Sequence, residues 1–201
     1  MYEEKHVDII REVVNIGVGE AAAALSDLVK SRVFIQVPDI RIMDAALVPD
    51  YLQDEVQNLG VYITQSFQGR VKGKSVLCYS QEASVSLLEV LMGKRETLSL
   101  SESDMATLQE IGNLLLVSCL SGISNIIEDR FIFDMPHVTL NGRIQSFKNL
   151  VSDIMEFNQA VVIKTEMAVK HTKIRGYIFI LLGFEELRSI IETLERKMLG
   201  N

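Results

Sequence analysis

Proline is scarce in this chain, with three among 201 residues; tryptophan is absent, and cysteine occurs only as Cys78 and Cys119. So little proline excludes a Pro-rich linker or an extended low-complexity segment. The two cysteines lie in apolar surroundings without C-x-x-C spacing. That excludes a disulfide framework and reads as two reduced, buried thiols. His6, His137 and His171 have no i,i+4 partner and no adjacent carboxylate cluster, so no zinc pattern appears and each is expected on the surface or in a turn. Positive charge is in deficit. Against 27 Asp and Glu stand 20 Lys and Arg, giving a net charge of -7, the wrong sign for a protein that draws affinity from phosphate backbones. Nucleic acid is therefore not an expected partner. The longest uninterrupted apolar run, Tyr177 to Leu182, falls far short of the roughly 18 to 20 residues of a bilayer span. Glu3, Glu4 and Lys5 stand where a secretory signal would place a basic region and an apolar core, so a cytoplasmic location away from membranes is expected.

What remains is a globular composition, 48% hydrophobic and 23% charged, long enough to bury a core without disulfides or a structural metal. From about Glu3 to Lys30, Ile10, Val13, Val14, Ala21, Leu25 and Leu28 recur at three- and four-residue spacing, which predicts a long helix with one buried face. Short strands are predicted at Arg32 to Val37 and Asp39 to Leu47, on either side of Pro38, and at Gly60 to Phe67 and Val71 to Tyr79 around a Gly69 turn. Gln81 to Met92 reads as a helix stopped by Gly93. Ser99 with Glu102, or Ser101 with Asp104, supplies the N-cap of a second long helix reaching about Glu128. Then follow strand-like residues around Pro136, a short amphipathic helix at Ser146 to Met155, strands at Ala160 to Ala168 and Lys173 to Leu182, and a helix from Phe184 to Met198.

The order restarts half-way. Glu12, Asn15 and Pro38 match Glu110, Asn113 and Pro136, each 98 positions on. Gly73, Glu82, Ser86, Glu89 and Leu91 match Gly176, Glu185, Ser189, Glu192 and Leu194 at a shift of 103. The second half thus carries about five extra residues between Pro136 and Gly176. Two pseudo-equivalent halves, 1–98 and 99–201, are inferred. Each would expose a sheet edge and an apolar helix face alone, so the two are expected to share one sheet and one core.

On the first helix, Asp8, Glu12, Asn15 and Gly19 fall within an arc of about 60°, opposite Ile10, Val13, Val14, Gly17 and Ala21. A mid-helix Asn and Gly weaken a helix, Gly by up to about 1 kcal/mol against Ala. Taken alone, the stripe reads as a plain solvated face, and Glu-x-x-Asn is a short motif that Glu55 and Asn58 repeat inside a loop-like segment. Its recurrence is what singles it out. Glu110 and Asn113 again share a face, opposite Leu108, Ile111, Leu115 and Cys119, and a proline follows each of the two asparagines 23 residues later.

Asp or Ser, three residues, Glu, two residues, Asn, twenty-two residues, Pro: this signature resembles that of the CheC, CheX and FliY chemotaxis phosphatases. It stands complete as Asp8, Glu12, Asn15 and Pro38, and again as Glu110, Asn113 and Pro136 with Ala106 leading. The Asn15 to Gly19 run, Asn-Ile-Gly-Val-Gly, and the Glu110 to Asn113 run, Glu-Ile-Gly-Asn, are similar to that family too. Nearly the whole chain is covered, and two motif copies look like the CheC branch. The resemblance implies a single CheC-like α+β domain: internally duplicated, with a continuous antiparallel sheet and two long pseudo-symmetric helices on one face.

The resemblance also implies a phosphatase acting on the aspartyl phosphate of a CheY-type response regulator, in chemotaxis signal termination. An acyl phosphate beside a regulator-bound Mg2+ lacks mainly an aligned water, so no cofactor of the chain's own is implied. Asn15 and Asn113 are the residues expected to orient that water, through one amide acceptor and two donors. Glu12 and Glu110 are expected to dock a regulator lysine, Asp8 to belong to the partner-binding stripe, and Gly19 to let the partner approach closely. Val117 occupies the second-half position matching Gly19. Further expectations are CheD as a partner through the segment at Ser146 to Met155, and a monomer, since a duplicated chain already supplies both halves. The alternatives are a non-catalytic module that binds the phosphorylated regulator or CheD, and a flagellar-switch scaffold.

Overall fold

The computed structural model describes residues 4–51, 59–94, 99–140, 156–169 and 171–199. The chain opens with α1 (Glu4–Val29), whose buried residues Ile10, Val13, Val14, Gly17, Val18, Ala21 and Leu25 follow the helical period of the sequence. Strand β1 (Val33–Asp44) comes next, then a 3-10 turn (Ala45–Leu47) and the short α2 (Val48–Tyr51). Strands β2 (Leu59–Gln68) and β3 (Lys72–Ser80) form a hairpin, and α3 (Gln81–Met92) ends at Gly93 with φ +98, a conformation that favours glycine. The second half runs α4 (Glu102–Ile127), β4 (Ile132–Phe133), β5 (His137–Leu140), β6 (Gln159–Val169), β7 (Thr172–Leu182) and α5 (Phe184–Leu199). Of the two predicted caps, Ser101 with Asp104 starts α4, as a full capping box. The predicted helix at Ser146 to Met155 and the Glu55 and Asn58 pair lie outside the described residues.

Among the described residues seven strands form one antiparallel sheet in the order β1-β6-β7-β3-β2-β4, with β5 also on β2. The β3 and β7 strands meet at its centre, from Gly73 opposite Leu182 to Tyr79 opposite Gly176. Central β7 is covered on both faces and so is apolar without alternation, which accounts for the Tyr177 to Leu182 run. The long helices α1 and α4 pack with α5 over one face, around Val13, Leu25, Ile63, Leu77, Leu116, Ile178 and Leu194. On the other face Ala45 and Val48 cover Tyr62, Val76, Cys78, Phe179 and Leu181.

Two differences from the sequence reading have physical causes. Instead of two strands around Pro38 there is a single β1 whose register against β6 shifts between Gln36 and Asp39; Pro38 sits in an edge strand, where its missing N–H can face away from the ladder. Leu47 belongs to the 3-10 turn, begun where the Asp44 carboxylate accepts from the Ala46 N–H at 2.9 Å. By length and hydropathy α4 could cross a membrane, but 56% of its most apolar stretch is buried within the protein, so its apolar face serves the core.

Candidate functional site

The stripe read from α1 faces out. Asp8, Glu12, Asn15 and Gly19 are all exposed, while Ile9, Val13, Gly17 and Val18 beside them are buried. Among the described residues the Glu12 carboxylate has no ion-pair partner and the Asn15 side-chain amide no hydrogen bond; Asp8 pairs with Arg11 on its own helix. A Cβ built on Gly19 meets nothing within 4 Å, so nothing in the described fold requires glycine there. Gly17, two residues away on the opposite side, differs: a Cβ there falls 2.2 Å from the Ser118 carbonyl oxygen, and one on Gly122 falls 2.8 Å from that of Val13. These glycines bring α1 and α4 into backbone contact, and the contact turns the polar stripes outward.

The second constellation is more built. Glu110, Asn113 and Ala106 are exposed on α4, beside a groove of about 530 Å³ lined also by Gln65, Gln109, Phe133, Asp134, Met135 and Pro136. A Cβ on Gly112 would fall 2.6 Å from Ile63, so glycine lets α4 settle onto β2 next to Asn113. Gln65 lies two residues beyond Ile63, on the same face of β2. Opposite Gln65 the sheet edge is interrupted: β2 pairs with β5 up to Thr64 opposite His137, and with β4 from Phe67 opposite Phe133. In that gap Pro136 has no N–H to give a ladder. Gln65 Nε2 donates to the free Asp134 carbonyl at 2.9 Å and to Asn113 Oδ1 at 2.8 Å. The groove wall is stiffened by ring contacts of Phe133 with Phe67 and Phe131, centroids 6.4 and 6.3 Å apart.

Gln65, Phe133 and Met135 were not singled out from sequence. A signal existed for Gln65 alone: it replaces an apolar residue in the alternation Val61, Ile63, Gln65, Phe67 and is 2% exposed. Cys78 and Cys119 are buried and unpaired; burial pushes both thiols up, Cys119 to about 12. Among the described residues, His, Cys, Asp and Glu gather nowhere in threes that could hold a metal ion. His137 and His171 are exposed, whereas His6 is partly covered against Glu195 at 3.4 Å.

No family model matches the chain. It is 22% identical over 204 residues to the CheY-P phosphatase CheC of Bacillus subtilis (strain 168), spanning 96% of this chain and 95% of CheC. To the flagellar motor switch phosphatase FliY of the same bacterium it is 26% identical over 141 residues, 68% of this chain but 36% of FliY. The crystal structure of Thermotoga maritima FliY has the same fold, with a TM-score of 0.74 at 19% identity over 98% of this chain and 99% of that one. In sequence and fold the chain is thus similar to members of the CheC/CheX/FliY family. Both Glu and Asn pairs of this chain lie on exposed helix faces, free of the packing that would seal them. The family's α+β architecture, with an antiparallel sheet and helices, is the one observed.

Proposed function

We propose that this protein is a CheC-type phosphatase that hydrolyses the aspartyl phosphate of a CheY-type response regulator in the cytoplasm. The observation that carries this reading is the pair of exposed amides, Asn15 and Asn113, each one turn after an exposed glutamate on a long helix. An amide beside a phosphoryl group can accept from a water and donate to a phosphoryl oxygen, which holds that water in line behind phosphorus. Restricting the water to the line of attack lowers the entropic part of the barrier, and no covalent intermediate on the phosphatase is needed. A Mg2+ held by the regulator would supply charge neutralisation at the phosphoryl oxygens.

Glu12 and Glu110 serve docking. A bare carboxylate next to phosphate is repelled, so each is assigned to a lysine on the regulator, and orientation by Asn makes a general base unnecessary. Gly19 leaves room for close approach to the first helix. The halves 1–98 and 99–201 are read as a duplication, since the sheet order reads alike from either end about the β3 and β7 contact; a monomer then carries both sites. CheD binding through 146–155 falls outside the described residues.

The test is phosphate release from a phosphorylated CheY-type regulator at a catalytic amount of this protein. Many turnovers per molecule support a phosphatase. Binding of the phosphorylated regulator without faster release identifies a binding module.

A further inference from the structure

We propose that Gln65 is a positioning residue for Asn113: it fixes which way the amide faces and makes the second site a pre-set hydrogen-bond donor. This rests on the phosphatase reading of Asn113. The orientation follows in two steps from a group with no ambiguity. The Asp134 backbone carbonyl can only accept, so the Gln65 atom 2.9 Å from it is the amide nitrogen. That nitrogen's second hydrogen goes to Asn113, so the Asn113 atom facing it, at 2.8 Å, is Oδ1. With Oδ1 turned to Gln65, both Nδ2 hydrogens point away from Gln65, and one lone pair of Oδ1 remains for a water. A phosphoryl group beside Asn113 meets donors without an amide flip, and a water meets an acceptor already polarised by Gln65.

Gln65 itself is held on all sides but one. Its backbone carbonyl accepts from the Ser75 hydroxyl at 3.0 Å, and its side chain is buried. Its Oε1 is buried without a partner among the described residues, although Gln65 lines the groove, and an unmet buried carbonyl is costly. The first site lacks this device. Opposite the break at Pro38 the residue on the same face is Thr165, whose hydroxyl donates to the Gly176 carbonyl at 3.0 Å. Asn15 therefore has to be ordered when the regulator docks, whereas Asn113 is ordered beforehand.

Two measurements test this. On the wild-type protein, 15N relaxation of the side-chain amides is expected to show Asn113 rigid and Asn15 mobile; equal mobility would overturn the proposal. Gln65→Met, made in an Asn15→Ala background so that only the second site turns over, keeps the volume and removes the donor. With the fold checked by circular dichroism, kcat for phosphate release is expected to fall about tenfold with KM within about twofold, and the Asn113 amide to become mobile. An unchanged kcat in this variant overturns the positioning role alone. An Asn15→Ala protein no faster than one also lacking Asn113 overturns the phosphatase reading of the second site, and the positioning role with it.

Discussion

Gly19 and Gly17 sit on one helix, two residues apart, and substitution should have opposite effects at them. Around Gly19 there is open space, so Gly19→Ala gains helix propensity and is expected to stabilise the protein by about 0.5–1 kcal/mol in urea denaturation. Gly19→Leu is expected to keep the fold yet raise KM for the phosphorylated regulator severalfold, because the side chain occupies the surface proposed for regulator docking. At Gly17 even a methyl group meets the Ser118 carbonyl, so Gly17→Ala is expected to cost about 1–3 kcal/mol in the same assay. The buried thiols make another prediction. Their raised pKa keeps them neutral, so Cys78 and Cys119 should resist a thiol reagent in the native state at pH 8 and react on unfolding. The unfolded chain ionises its thiols near the ordinary value of 9.0 and the folded chain only higher, so stability should fall as pH rises above about 9. At this scale the outward Asn and Glu were legible from helical spacing alone. Gln65 was not, because a single polar residue on an apolar strand face does not say what lies across from it.

Among the elements, both long helices follow from periodicity, because each buries one face and the buried face writes its period into the sequence, whereas β7 is legible as an unbroken apolar run and β1 reads as two strands. Capping settled the start of α4 where two serines competed; Ser101→Ala removes its cap and is expected to lower stability by about 1 kcal/mol in urea denaturation. What the pattern could not supply is the edge geometry. A proline suggests a strand boundary, yet Pro38 is accommodated within β1 by a register shift, while Pro136 separates β4 from β5. Both prolines break an edge ladder, and among the described residues only on the Pro136 side does the freed carbonyl accept from a side-chain amide. Nothing local in sequence distinguishes the two cases, since the distinction depends on which strand lies opposite.

For the whole molecule, the join between β3 and β7 matters most. It merges what the sequence reads as two halves into one sheet and one helix-covered core, so unfolding should not proceed half by half. Hydrogen exchange is expected to release the slowest amides of β3 and β7 together, at one free energy. The repeated Glu, Asn and Pro at one shift suggest two halves from sequence, whereas the sheet order required coordinates. The most direct test of the proposed chemistry is regulator dephosphorylation by the Asn15→Ala, Asn113→Ala double variant, compared with the unaltered protein at equal concentration. With the fold intact, phosphate release is expected to drop to the regulator's own spontaneous rate. Release at the rate of the unaltered protein would contradict a role for the two amides in hydrolysis.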